Sequence, residues 1–282
     1  MEEIKFSIII PVYNEEKSIL MCLRSLKQQT YKNFEIIIVD DGSNDGTVAK
    51  VLQYKKNNSN IKFLQQKHLG PASARNFGSK NSSGGILVFL DGDMTFEKHF
   101  LKKLTAPIIS SRAKGTFSKD EFVSNWNNIW SRCWNINLNL PAKKRIPKRY
   151  PDTQKVFRAI LKKEFDRVSG FSKGGYTDDY TLSEKLGYGA VAADKAVFYH
   201  ANPDTLAEVY KQAKWVAKRR YKLGYIGFVI ALLRSSLPVS ILIGLLKSLR
   251  NVEPRFLIFK IVFDLGIFSG IVGYLINGKS AK

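Results

Sequence analysis

Cysteine and acidic side chains are both scarce in this chain of 282 residues. The two cysteines, Cys22 and Cys133, make neither a disulfide framework nor a metal-ligand spacing. Each lies in a segment with helical periodicity, so both read as small packing residues, and the pair fits a reducing compartment. There are no internal repeats and no low-complexity tracts. The start of the chain is charged and runs straight into a strand, without a signal-peptide layout, so the segment that follows is expected in the cytoplasm. No recognisable nucleic-acid-binding module is present, and no nucleic-acid partner is expected. Asp and Glu number 24 against 45 Lys and Arg, a net charge of +21. The imbalance is local: residues 101–205 hold 19 basic against 10 acidic side chains, and residues 206–282 hold 13 against 3. By charge alone, a basic field of that kind suits nucleic acid, anionic lipid or phosphorylated small molecules.

What is present begins with alternating strand and helix signals. Residues 6–12, 34–39, 61–64 and 86–90 are short apolar runs of the kind that buried parallel strands show. Between them lie helical patterns, the first with Ile19, Leu20, Leu23 and Leu26 on one face, the others over 45–57 and 71–83. This order predicts an α/β fold, a Rossmann-like, mostly parallel sheet whose ligands bind beyond the carboxyl ends of the strands. Asp40, Asp41, Asp91 and Asp93 all fall at such ends. Further on, the pattern predicts a helix over 97–111, a strand at 114–118, and a helix over 120–135 carrying Phe122, Trp126, Trp130 and Trp134 on one face. A strand at 156–161, a helix over 178–187 stopped by Gly187 and a last strand over 190–200 follow. From Thr205 the pattern is helical.

Asp91-Gly92-Asp93, a DxD motif, is the sharpest local feature. Two carboxylates separated by Gly at a strand end can turn toward one point, and repel unless a cation lies between them. A hard ion, Mn²⁺ or Mg²⁺, prefers such oxygen ligands and keeps phosphate oxygens in its shell. As an isolated tripeptide the motif equally describes a plain turn. Here it closes a longer set: "SIIIPVYNEEKSILMCLRSLKQQTYKNFEIIIVDDGSNDGT" followed by "GPASARNFGSKNSSGGILVFLDGD". Over residues 4–95 this set resembles the family 2 inverting glycosyltransferases of the A-type glycosyltransferase fold, and the resemblance extends more loosely to about residue 222.

The resemblance implies roles. Pro11, Tyr13 and Glu15 would line a nucleotide pocket, Asp40 would hydrogen-bond the base, and Asp41 would sit near the ribose or the metal. Arg75 would face the base or the donor phosphates. Asp91, with Gly92, and Asp93 would contact the nucleotide-sugar, Asp91 and Asp93 also holding the metal and Asp93 the more directly. Family members carry an acidic pair followed by Leu, whose second acid is the catalytic base; here that pair is Asp178-Asp179 with Leu182. Asp178, Trp126 and Gly175 are the acceptor-side candidates. His200 matches a histidine that some members use as a further metal ligand. A Gln-x-x-Arg-Trp element of members that build long glycans is represented only by Gln212-Ala213-Lys214-Trp215, which argues for a non-processive type. The expected reaction is transfer from a nucleotide-sugar, a UDP-sugar first, to a hydroxyl of a glycan or lipid-linked acceptor. The competing readings are a sugar-1-phosphate nucleotidylyltransferase, whose Gly-rich loop is missing, and a non-enzymatic basic membrane-binding protein, which leaves the acidic clusters unexplained.

Residues 1–204 are expected to form the catalytic domain, with 1–95 as its nucleotide-binding half and 96–204 as its acceptor half. Residues 205–282 form a basic helical region with two hydrophobic segments. The stretch 256–276 would span about 31 Å as a helix, the thickness of a hydrocarbon core. Lys260 and Asp264 interrupt it one turn apart, where they can pair. The stretch 225–246 is split by Arg234, Ser235, Ser236 and Pro238. Two crossings would put Lys247, Arg250 and Arg255 on the far side, against the positive-inside rule. Helices lying in the interface, or a shallow hairpin, keep the basic clusters at the cytoplasmic face of an anionic membrane.

Overall fold

In the computed structural model, residues 3–172, 178–217 and 224–277 are described. They group into two compact units, 1–122 with 149–200 and 123–148 with 201–282. Residues 123–148, which the sequence reading places inside the catalytic domain, therefore cluster with the C-terminal helices.

The first unit opens with β1 (Phe6–Val12), α1 (Ile19–Lys27), β2 (Phe34–Asp40), α2 (Thr47–Lys55), β3 (Ile61–Gln65), α3 (Pro71–Lys80) and β4 (Ile86–Phe89). It continues through β5 (Met94–Phe96), α4 (Phe100–Ile109), β6 (Gly115–Ser118) and β7 (Glu121–Val123). After an excursion through α5 (Ile129–Leu138) come β8 (Thr153–Gln154), β9 (Ala159–Leu161), α6 (Lys162–Arg167), α7 (Asp178–Leu186), β10 (Ala190–Ala193) and β11 (Phe198–His200). The main sheet has the order β3-β2-β1-β4-β9-β6-β10-β8, and a small sheet the order β5-β11-β7. β1 runs parallel to both β2 and β4, and β2 parallel to β3. These strands are covered on both faces, which is why they read as unbroken apolar runs. β9 is antiparallel to both β4 and β6, so the mostly parallel sheet has one reversed strand inside it.

Register fixes the functional edge. Val12 pairs with Asp40 and Asp40 with Gln65, so three strands end level. Helix α1 buries Ile19, Cys22, Leu23 and Leu26. Helix α3 lies close on the sheet because Gly78 has no side chain; a Cβ there would come within 2.6 Å of Ile9 Cγ2.

Two expectations are corrected. The helix expected over 120–135 is a strand, a turn and a shorter helix. Glu121–Val123 pairs in the small sheet, and Asn128 starts α5 afresh, its side chain accepting from the backbone N–H groups of Trp130 and Ser131. The tryptophan stripe is broken accordingly: Trp126 sits half-buried in the turn, while Trp134 is buried. The single strand expected over 190–200 is two strands in different sheets. Lys195, at φ 56°, turns the chain and donates its N–H to Asp120 Oδ2 at 2.9 Å. Gly187, at φ 75°, ends α7 as expected.

The second unit contains α5, α8 (Leu206–Val216), α9 (Gly224–Arg234), α10 (Leu237–Asn251) and α11 (Phe256–Asn277). Cys133, Trp134, Val209, Phe256 and Phe259 form its core. Cys22 and Cys133 are both free and buried, as packing residues should be. A 62° bend separates α9 from α10 at the serine pair. Lys260 Nζ meets Asp264 Oδ1 at 2.7 Å, and Ser240 donates to Asp264 Oδ2 at 2.6 Å.

Candidate functional site

Two loops meet beyond β1 and β2. Asn14, at φ 57°, donates its N–H to Ser43 Oγ and accepts from the Asn44 N–H, both at 2.9 Å. Glu15 N–H donates to Thr47 Oγ1 at 2.8 Å. The "PVYNE" segment is thereby fastened to "DDGSNDGT", and half-buried Pro11 and exposed Tyr13 face out at the strand end. Tyr13 stacks on His68 with centroids 4.2 Å apart. Asp40 is buried, accepting from Ser43 N–H at 3.3 Å and Gln65 Nε2 at 3.4 Å. Asp41 is also buried, and both its oxygens are used internally. Oδ1 accepts from Gln66 Nε2 and Leu69 N–H, and Oδ2 from Gly70 N–H at 2.9 Å, with His68 Nδ1 also 2.9 Å away. Asp41 thus holds the turn that launches α3, where Gly70 at φ 92° needs the freedom of glycine.

Arg75, carried on α3, is the centre of the site. Its guanidinium donates through one nitrogen to Asp179 Oδ1 and through the other to Asp91 Oδ1 at 2.9 Å. Arg158, on the turn into β9, donates to Asp91 Oδ2 at 2.9 Å. Burial opposes the charge on Asp91, but the Arg158 and Arg75 cations outweigh it and hold the carboxyl well below its usual range. Arg75 is only 7% exposed; burial works against its charge, and Asp179 and Asp91 reverse the sign, raising its pKa. Asp179 keeps 42% of its side chain exposed. Next to Arg75, Asn76 clasps the backbone of Phe171, donating to its carbonyl at 2.8 Å and accepting from its N–H at 2.9 Å. Asp178 is the first residue of α7. Gly175 lies outside the described residues, and Trp126 falls in the second unit.

On the other side of Asp91, Gly92 lets the acidic turn approach β1: a Cβ there would be 3.1 Å from Val12 Cγ1 and 3.4 Å from Glu15 Cγ. Antiparallel pairing of His200 with Met94 brings the histidine beside Asp93. His200 Nε2 is 2.8 Å from Asp93 Oδ2, and Nδ1 is 3.3 Å from Glu121 Oε1. Burial, together with the Asp93 and Asp91 charges, pushes the Glu15 carboxyl up to about 7, although Ser18 donates to it. Asp93 Oδ1 is buried without a hydrogen-bond partner. Among the described residues no cluster of three ligating side chains occurs. An orphaned carboxylate oxygen beside an imidazole, in a region crowded with acids, nevertheless fits an ion that takes one or two protein ligands and completes its shell with phosphate oxygens.

The sequence reading therefore brought Glu15, Arg75, Asp91, Gly92, Asp93, Asp179 and His200 into one neighbourhood. It missed four contributors: His68, Asn76, Glu121 and Arg158. Asn76 stood inside the quoted "ASARN", and Arg158 was the one charge in an apolar run, the signal that could have exposed it.

Comparison with known proteins supplies the context. The pattern described as "Glycosyl transferase family 2" matches residues 7–168. An uncharacterised glycosyltransferase of Rickettsia conorii is 43% identical over 98 residues, 35% of this chain and 16% of its own. The UDP-Glc:alpha-D-GlcNAc-diphosphoundecaprenol beta-1,3-glucosyltransferase WfgD of Escherichia coli is 33% identical over 126 residues, 44% of this chain and 49% of its own. The matched parts thus span half or less of these relatives. A mannosyltransferase of Pyrobaculum calidifontis, solved in complex with GDP-Man and Mn²⁺, superposes with a TM-score of 0.63 at 17% identity, covering 99% of this chain and 89% of that one. At that identity the likeness shows the fold, the A-type glycosyltransferase architecture.

Proposed function

The chain belongs to glycosyl transferase family 2, and from that premise we propose that it transfers a sugar, with inversion, from a nucleotide-sugar to a hydroxyl of a glycan or lipid-linked acceptor. The observation that carries this reading is the sharing of Arg75 between Asp91 and Asp179. One guanidinium ties the donor-side carboxylate to the carboxylate on the acceptor side. UDP is the first nucleotide to test, since WfgD is named for UDP-Glc; the GDP-Man complex of the archaeal enzyme makes GDP the second. Residues 1–95 form the nucleotide-binding half in this reading and 96–204 the acceptor half.

The Tyr13–His68 stack offers the base an aromatic platform at the strand ends, and Pro11 fixes the backbone below it. Asp40 accepts from the base, and Asp41 keeps the loop before α3 in place beside the ribose. Arg75 and Arg158 hold Asp91 ionised and stand beside the place proposed for the diphosphate. Asp93 and His200 would hold Mn²⁺ or Mg²⁺, and Glu15 and Asp91 lie in the same field. When bound, such an ion neutralises charge on the leaving diphosphate. Asp179 takes the proton from the acceptor hydroxyl as that oxygen forms its bond to the anomeric carbon, from the face opposite the departing diphosphate. Asp178 and Gly175 are the proposed acceptor contacts. A lipid-linked acceptor would be met at a membrane surface, and the cytoplasmic face is the side proposed. The apolar α11 supports a membrane location.

Asp179→Asn tests the assignment, because Asn retains an oxygen for Arg75 but cannot take a proton. Nucleotide-sugar affinity should stay within a few-fold, while transfer falls by about 10²–10⁴, the usual worth of general-base help. Transfer near the wild-type rate would remove Asp179 as the base.

A further inference from the structure

We propose that helices α9, α10 and α11 dock in the plane of an anionic membrane surface and do not cross it. The proposal deepens the membrane location given above, and its test needs no catalytic activity.

The argument starts from what covers α11. Its first half packs against α5, where Trp134 stands edge-on to Phe259 and Phe263, with centroids 6.4 and 5.6 Å away. Its middle packs against α8, and the fit allows no side chain between them. A Cβ on Gly266 would lie 2.6 Å from the Tyr210 carbonyl oxygen, and one on Gly270 would collide with the Lys214 carbonyl. Gly266 meets Tyr210 to Lys214 and Gly270 meets Lys214 to Ala217, so the two helices run side by side in the same direction. Helix α8 buries Val209 and Ala213 and exposes Glu208, Lys211, Gln212 and Lys214. A charged helix is thus fastened along the centre of the apolar stretch 256–276. If α11 crossed a bilayer, that centre would sit at mid-depth and carry Glu208, Lys211 and Lys214 with it. Charges there are expensive, and those found are paired or face a wet cavity. Lying in the interface, α11 leaves α8 in water.

The other faces fit lipid. Leu242, Leu246 and Leu249 of α10 are 59%, 59% and 78% exposed, Val252 is 89% exposed, and Ile276 of α11 is 75% exposed. An exposed surface of this extent marks an interaction site. Polar groups within these helices have been turned inward: Lys260, Asp264 and Ser240 are buried and bonded to one another. Val252 holds φ 52°, a conformation a β-branched residue rarely adopts, at the tip between α10 and α11. Exposed Arg234, Arg250 and Arg255 stand at the helix ends beside the apolar surface. Apolar faces edged by cations are complementary to anionic lipid, whose acyl boundary takes the first and headgroups the second.

Flotation of the full chain with vesicles of about 70:30 phosphatidylcholine and phosphatidylglycerol tests docking, and thiol labelling tests the geometry. The chain should float with these vesicles and much less with phosphatidylcholine alone. Leu242→Glu combined with Leu246→Glu should abolish flotation while the circular dichroism spectrum is retained. Arg255→Cys and Lys282→Cys flank α11, and both should react with an impermeant maleimide from the same side of the vesicle. Labelling from opposite sides would overturn the in-plane geometry. A chain that stays unbound, or that forms a dimer masking this surface, would overturn the docking. A chain that floats but releases no nucleoside diphosphate would leave the docking intact and refute the transferase reading instead.

Discussion

At the scale of single residues, the site is a set of charges that keep one another in a defined state. Glu15 is the strained member. Its folded-state pKa of about 7 lies above the ordinary 4.5, so between those limits the folded chain binds more protons than the unfolded one. Stability of the metal-free protein should therefore fall as pH rises from 4.5 through 7, with no cost below this window and the full cost above it. Glu15→Gln should remove the slope and raise Tm at pH 8 by a few degrees, on the order expected for 1–2 kcal/mol; a Tm-versus-pH series by differential scanning fluorimetry reads it. Arg158 works in the opposite sense. Arg158→Met removes a charge-assisted hydrogen bond from Asp91, which is worth about 1.5–3 kcal/mol, so Tm should drop and nucleotide-sugar affinity with it. Unchanged affinity in a calorimetric titration would separate Arg158 from the donor site. The acids and Arg75 were legible in the sequence because each stands at a strand end or inside a dense motif. Arg158 showed only as a lone charge in an apolar run and Glu121 not at all, since their partners are 67 and 79 residues distant in the chain and no local pattern names a partner that far away.

At the scale of elements, the βα repeats of the first ninety residues were readable because burial on both faces writes continuous apolar runs. The two corrected elements share a cause: short strands of the small sheet carry too few residues to show a period. Glu121–Val123 and Phe198–His200 have three residues each, and neighbouring patterns absorbed them into a longer helix and a longer strand. Helix α3 is the element on which the site depends, since it presents Arg75 and Asn76 together. Gly78→Ala should push it off β1, given the 2.6 Å approach to Ile9 Cγ2. We expect a loss of about 1–3 kcal/mol, the usual cost of overpacking, and a fall in transfer greater than the fall in stability alone explains. Chemical denaturation and a nucleoside-diphosphate release assay on the same preparation would show both.

At the scale of the whole molecule, the net charge of +21 is uneven, with residues 206–282 alone holding 13 basic against 3 acidic side chains. In the first unit, Arg75 and Arg158 are balanced by the acids of the site and add nothing to the excess. In the second, basic residues flank apolar helices, a division that net charge alone could not have revealed. The account turns on the claim that Asp93, His200 and the Arg75 network receive one nucleoside diphosphate together with a cation. Calorimetric titration of UDP and GDP into the wild-type chain and Asp93→Asn, each with Mn²⁺ and with chelator, tests that claim most directly. Binding that requires Mn²⁺ in the wild type and is weakened at least tenfold, about 1.4 kcal/mol, in the variant is the predicted result. Equal affinity with and without the metal, in both proteins, would contradict it.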